Sequence, residues 1–293
     1  ISTIYEDSKK RLWIGTDQGA PYILNRSTGK FYNFNLNISQ STRKMNGVWQ
    51  ILEDRDGHIW VSAHNNYFRL NDVSNQFEPM DSLLQMGNHT LPSGISMDKA
   101  GNLWFATTAG VKMLSYKKNI LTDKNNNPGH LKFFDIDKPA GSIVFDKQDN
   151  MWISTSYDRV LYKYNFPANT INSYSFNKNA SRELQAEKYN DPIGQIFVSS
   201  KGDLIVSLLA RGLAVYNYAT DSFNIITAAN NLPYGLHLKP ETYASISMNE
   251  DRKNNIWITT DDGINIMDIN MPAFVTYKKP SAASDLLSSA EVS

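Results

Sequence analysis

A β-propeller built from four-stranded antiparallel blades is the fold class the sequence predicts, and three observations predict it. First, a short frame centred on tryptophan recurs: Leu12-Trp13-Ile14-Gly15, Ile59-Trp60-Val61-Ser62, Leu103-Trp104-Phe105-Ala106, Met151-Trp152-Ile153-Ser154 and Ile256-Trp257-Ile258-Thr259, with Leu204-Ile205-Val206-Ser207 as a copy in which isoleucine replaces tryptophan. Successive copies lie 44 to 53 residues apart, close to the repeat length of a propeller blade. Second, three further columns align with the frame in all six copies. Third, strand and turn signals fill each repeat, and no convincing amphipathic helix interrupts them; residues 181–188 offer at most a short helical turn.

Each column has a physical reason. Nine residues before the tryptophan position stand Ile4, Ile51, Ile95, Ile143, Ile196 and Met248, apolar residues suited to an inner strand. Six before it stand Asp7, Asp54, Asp98, Asp146, Ser199 and Asp251, side chains that open a tight turn by accepting backbone N–H bonds. Three before it stand Lys10, Gly57, Gly101, Asp149, Gly202 and Asn254, at a position that calls for positive φ in a hairpin with a G1 bulge. The tryptophan strand itself is apolar on both faces, as a strand covered from both sides must be. Two residues beyond the tryptophan the side chain is always small (Gly15, Ser62, Ala106, Ser154, Ser207, Thr259). That residue shares the indole's face and leaves room for a neighbouring sheet.

Third strands are expected near 20–24, 67–70, 111–114, 160–164, 213–216 and 264–267. Fourth strands are expected where aromatics cluster, at Phe31 to Phe34, Phe77, Phe133-Phe134, Tyr174 to Phe176, Phe223 and Phe274 to Tyr277. Four strands in six copies make one propeller domain over 1–293. Its blades are expected at about 1–47, 48–94, 95–141, 142–194, 195–244 and 245–279. Residues 280–293 then form a tail or the lead-in to a next blade.

Composition excludes several classes. Formal net charge is zero, so nucleic acid is not an expected partner. The run Lys9-Lys10-Arg11 falls in an expected turn, a solvated place. There are no cysteines, hence no disulfide framework and no thiol chemistry. No stretch approaches ~18 consecutive apolar residues, so membrane insertion by this region is not expected. The five histidines show no metal-ligand spacing, and no G-x-S-x-G elbow is present. Asp54-Arg55-Asp56-Gly57 has a faint calcium-loop look, but it lacks the later ligands and repeats as a blade turn.

The frames around Ile4 to Gly19, Ile51 to Val61 and Asn249 to Ile264 resemble the two-component regulator propeller repeat, whose pattern is roughly I-x-E-D-x-x-G-x-L-W-I-G-T-x-x-G-L. The resemblance extends over about the whole chain; the fifth copy departs from it by lacking both tryptophan and aspartate. It implies the periplasmic sensor region of Bacteroides-type hybrid two-component histidine kinases. In that setting two seven-bladed propellers precede an immunoglobulin-like domain, a transmembrane helix, a kinase and a response regulator. It also implies a response to oligosaccharides released from glycans and a homodimer formed through the parent receptor.

The ligand is expected on the face shared by the second-to-third strand loops and the long blade-to-blade connections (35–47, 80–94, 177–194, 228–244), because irregular loops on a regular scaffold carry specificity. Candidate ligand contacts there are Asp17, His64, Asn65, Tyr157, Asp158, Arg211 and Asp261, which offer planar polar groups and an aromatic platform for sugar hydroxyls and C–H faces. Asp17 and Asp261 also match a turn position of the repeat. No catalytic residue, metal or cofactor is expected. Two other readings compete: an enzyme similar to streptogramin lyases, for which His64 alone is well placed, and a scaffold for protein–protein contact.

Overall fold

In a computed structural model, residues 2–16, 20–34, 47–63, 66–87, 90–155, 160–176, 193–208, 212–227, 247–260, 263–268 and 274–277 are described. They form six four-stranded antiparallel sheets. Blade 1 comprises β1 (Thr3–Glu6), β2 (Leu12–Gly15), β3 (Tyr22–Asn25) and β4 (Lys30–Asn33). Blade 2 comprises β5 (Val48–Glu53), β6 (Ile59–Ala63), β7 (Tyr67–Asn71) and β8 (Gln76–Pro79). Blade 3 comprises β9 (Pro92–Met97), β10 (Leu103–Thr107), β11 (Gly110–Leu114) and β12 (Leu121–Thr122). Blade 4 comprises β13 (Ala140–Phe145), β14 (Met151–Thr155), β15 (Val160–Asn165) and β16 (Thr170–Ser175). Blade 5 comprises β17 (Ile193–Val198), β18 (Leu204–Leu208), β19 (Gly212–Asn217) and β20 (Ser222–Thr227). Blade 6 comprises β21 (Ser247–Glu250), β22 (Asn255–Thr260), β23 (Gly263–Asp268) and β24 (Phe274–Tyr277). Within every sheet the strands lie in chain order. The fold is the six-bladed β-propeller type, with almost no helix: one turn of α-helix, α1 (Asp81–Leu84), and one 3₁₀ turn (Lys132–Asp135) among the described residues. The span 181–188 lies outside them.

The first turn of each blade shares one backbone geometry. The residue three before the tryptophan position has positive φ in all six copies: Lys10, Gly57, Gly101, Asp149, Gly202 and Asn254, from +62° to +89°. Its N–H donates to the carbonyl of the aspartate-column residue at 2.8 to 3.0 Å. The carboxylate does more than open the turn. One oxygen accepts the N–H four residues on (Arg11, His58, Asn102, Asn150, Asn255). The other accepts the indole N–H of the copy's own tryptophan at 2.7 to 3.0 Å, in five of the six copies. A buried indole N–H needs such an acceptor, so the aspartate and tryptophan columns form one interaction. Arg11 corrects the solvated reading of the basic run. Lys9 and Lys10 are exposed, but the Arg11 guanidinium lies 2.5 Å from Asp7 and 5.1 Å from the Trp13 ring centroid.

Second strands are the most buried elements. All residues of β6, β10, β14 and β18 are buried. The chain divides into two compact units, residues 1–157 with 162–172, and residues 158–161 with 173–293. Within the first, Trp13 packs with Val48, Ile51, Val61 and Phe77 of blade 2, Trp60 with Ile95, Leu103 and Phe105 of blade 3, and Trp104 with Ile143, Met151 and Ile153 of blade 4. Within the second, Ile205 packs the same way against Met248, Ile256 and Ile258 of blade 6. The small column has the expected purpose. A Cβ on Gly15 would come within 2.8 Å of Val48 Cγ1 on blade 2. The column nine before the tryptophan is buried to 3% exposure or less in five copies, whereas Ile4 is 50% exposed.

Polar ties repeat as well. The Ser8 backbone N–H and hydroxyl donate to Glu53 of blade 2 at 2.7 and 2.6 Å. Ser200 repeats this clip on Glu250 of blade 6, at 2.6 and 2.7 Å.

Blade 3 departs from the expectation for fourth strands. Its fourth strand is the two-residue β12, and Phe133 and Phe134 lie on the 3₁₀ turn instead. Both rings are buried against Trp104, at centroid distances of 5.1 and 6.5 Å. The aromatics reach the same inter-blade layer by a different backbone path, so composition located the packing but not the strand.

Candidate functional site

All seven expected ligand residues, Asp17, His64, Asn65, Tyr157, Asp158, Arg211 and Asp261, lie outside the described residues, as do connections 35–46, 177–192 and 228–246 and the tail 280–293. The face they were placed on is described best at blade 3. There the second-to-third turn is fixed by the Thr107 hydroxyl, which donates to the Gly110 carbonyl at 2.8 Å and accepts the Ala109 N–H at 3.1 Å. Gly110 has a φ of +100°, a conformation that excludes most side chains. Thr260 and Gly263 repeat the bond in blade 6 at 3.2 Å, so the T-x-x-G of the repeat is a turn lock. The incoming connection is tied to this turn, since Leu91 N–H donates to the Thr108 hydroxyl and Thr108 N–H to the Leu91 carbonyl.

Between that turn, the end of the connection that holds α1 and the start of the next connection lies a cavity of about 230 Å³. Its polar lining includes Gln85, Thr90, Lys112, Asp123 and Asn125, and its apolar wall includes Phe134 and Ile136. Lys112 projects from β11 and meets Asp123 at 2.8 Å. The register explains the pairing: Met113 lies opposite Thr122, so Asp123 is next in line opposite Lys112, a cross-strand pair. Asp123 is held by its own turn. Its Oδ1 accepts the N–H groups of Asn125 and Asn126 at 2.9 and 3.1 Å, and Asn126 donates to the Leu121 carbonyl. Burial works to raise the Asp123 pKa, but the Lys112 hydrogen bond, the Asn125 N–H and the Lys112 charge carry it below the ordinary carboxylate range. A second pair, Lys124 with Asp137 at 2.5 Å, is more exposed.

Sequence reading missed this cavity because it assigned the fourth strand to Phe133-Phe134. The run Asn125-Asn126-Asn127-Pro128-Gly129 is a strong turn signal that places the end of a strand just before it. On the turns between first and second strands, Asp54, Asp56 and His58 bring ligand-type atoms within 4.8 Å of one another. Asp54 is already committed to the Trp60 indole and to the N–H groups of Asp56 and His58, which bears out the blade-turn reading of that segment.

The two-component regulator propeller family model matches residues 1–18 and 44–65, and these two segments carry repeats of that family. A search of curated proteins finds no match to the sequence. Among solved structures, the chain is similar to virginiamycin B lyase from Staphylococcus aureus, with TM-score 0.65 and 12% identity over 94% of this chain and 83% of that one. It is also similar to PorZ, a surface component of the type-IX secretion system of Porphyromonas gingivalis, with TM-score 0.59 and 14% identity over 96% of this chain and 42% of that one. A further match is the extracellular domain of a putative hybrid two-component system from B. thetaiotaomicron, with TM-score 0.43 and 20% identity. It covers 94% of this chain but 35% of the other, so the chain spans about a third of that neighbour's length. At such identities the lyase and the secretion component share a fold with this chain and nothing of their chemistry follows.

Proposed function

We propose that this chain is a ligand-sensing propeller of a hybrid two-component receptor, that it works in the periplasm, and that its ligands are glycan-derived oligosaccharides. The observation that carries the reading is the two-component regulator propeller match at residues 1–18 and 44–65, together with the same turn geometry in all six copies. The region contributes binding rather than catalysis, and the parent receptor is a homodimer. No helix among the described residues is long and apolar enough to cross a membrane; in this reading the anchor belongs to another part of the receptor. Signalling follows from differential affinity: an oligosaccharide that binds one receptor arrangement more tightly shifts the population toward it.

The test is calorimetry on the complete sensor region with a panel of host and plant oligosaccharides, paired with a phosphotransfer assay on the intact receptor. Saturable heat and altered phosphotransfer with one glycan class support the proposal. Silence across the panel overturns the ligand class, and phosphotransfer that ignores every bound glycan overturns the sensing role.

A further inference from the structure

We propose that the blade 3 cavity is a binding site for one neutral, polyhydroxylated molecule of monosaccharide size, gripped by the Lys112–Asp123 pair. Its lining residues are other than the seven expected to contact an oligosaccharide, and the proposal stands whether or not the receptor signals.

Three observations converge on it. The first is hydrogen-bond accounting. Lys112 is 9% exposed, and its ammonium has three donors. Among the described residues Asp123 is its one acceptor. A nearly buried ammonium with donors to spare costs free energy until oxygen acceptors reach it.

The second is the position of Lys112 in the repeat. It pairs with Phe105 on the second strand. The residues paired at the same place in blades 1, 2, 5 and 6 are Tyr22, Phe68, Ala214 and Asn265, none of them charged. The fold therefore does not require a charge here. An ion pair in such a place adds little stability over an apolar pair of similar size, so stability does not account for it.

The third is the character of the walls. In the wall Lys112 is balanced by Asp123, and Lys124, also in the lining, is balanced by Asp137 outside it. An anionic ligand would face the Asp123 carboxylate and a cationic one the Lys112 ammonium, whereas hydroxyl groups both donate and accept and so answer both members of the pair. Thr90, Gln85 and Asn125 add neutral polar groups, and Phe134 and Ile136 offer an apolar surface to a C–H face. A volume of about 230 Å³ lies below the ~300–1,000 Å³ of sites for drug-sized ligands, which limits the occupant to a single small ring or chain. Asp123 is held in place by the Asn125 and Asn126 N–H groups, so little ordering cost falls on binding.

The experiment is a titration of the whole chain, followed by saturation-transfer NMR and calorimetry. The probes are D-glucose, D-galactose, D-mannose, L-fucose and sorbitol, with glucuronate and glucosamine as charged counterparts. The expected result is saturable millimolar or tighter binding of at least one neutral probe, weakened about tenfold or more in the double variant Lys112→Met/Asp123→Leu, which removes the pair without leaving a lone charge. No binding by any neutral probe overturns the proposal. Binding only of glucuronate or glucosamine overturns the neutral class, and undiminished binding by a folded double variant overturns the assigned pair. Should that variant not fold, lysine-labelled wild-type protein decides: the Lys112 side-chain resonance shifts on titration if the proposal holds, and stays fixed if it does not. The oligosaccharide proposal is read by phosphotransfer on the intact receptor and this one by the double variant and the Lys112 resonance, so the two fail separately.

Discussion

Blades 4 and 5 solve the same packing problem in opposite ways. In blade 4, Asp146 accepts the Trp152 indole N–H at 2.8 Å and the N–H groups of Gln148 and Asn150 at 2.9 Å, and Asn150 adds its amide. In blade 5 the polarity is reversed. Ser199 donates its hydroxyl to Asp203 at 2.8 Å and accepts the Asp203 N–H at 3.0 Å, and Ile205 fills the indole's place at 1% exposure. With no indole N–H to satisfy, no carboxylate is needed six residues upstream, and the acid sits four residues later. The two conspicuous columns of the repeat are therefore a single unit that is kept or exchanged whole.

The largest effect should come from emptying the indole site where it is most covered. Trp152 is fully buried and Trp257 is 37% exposed. Trp152→Ala should cost about 3–5 kcal/mol and Trp257→Ala distinctly less, as read by chemical denaturation. Equal losses would show that inter-sheet burial does not set the cost. Next comes the coupling itself. Asp146→Ser leaves a buried indole N–H unsatisfied, a loss of roughly 1–3 kcal/mol. Placed in a Trp152→Ile background, the same change should cost less, giving a coupling of ~0.5–3 kcal/mol. Additive losses would break the comparison between the blades.

Acid gives a third, broader test. Burial pushes the Asp7 pKa up, but the Trp13 and Arg11 hydrogen bonds hold it below the usual value, and the Trp257 and Asn255 bonds lower Asp251. A depressed folded-state pKa means that the unfolded chain binds protons first. The stabilisation is complete above the ordinary carboxylate value of ~3.9 and drains away as pH falls through it toward the folded-state values. Melting temperatures followed from about pH 6 to about pH 2 should drop steeply below ~4, and less steeply for Asp7→Asn. An identical slope in the variant would remove Asp7 from the account. The smallest effect should come from Lys10→Gly. Lys10 holds a φ of +62° where Gly57 and Gly101 stand in blades 2 and 3. Glycine avoids a left-handed penalty of ~1–2 kcal/mol but loses an exposed contact with Glu6, so a net gain under about 1 kcal/mol is expected.

The blades were legible in the sequence because every element of the turn is local. Aspartate, positive-φ residue and tryptophan lie within seven consecutive positions, and each is chosen for a bond to another of the three. What was not legible depends on which side chain meets which across sheets. The Asp–indole bond was hidden because both residues already had sufficient reasons of their own, a turn and a core. Phe133 and Phe134 misled because aromatic residues report burial, not backbone path. The Lys112–Asp123 pair was invisible until β12 was known to stop at Thr122, since the register of a two-residue strand leaves no periodic trace. The expected ligand residues sit on loops, where sequence signals turn chemistry but not convergence.

In each of the six sheets the strands that bond to one another are consecutive in the chain. Within a sheet, loop closure is therefore brief at nearly every step. A nascent chain emerging from a ribosome could complete one sheet before the next is translated, with the clip from Ser8 to Glu53 available once the second begins. A protein built this way is assembled as a zipper closes, tooth after tooth.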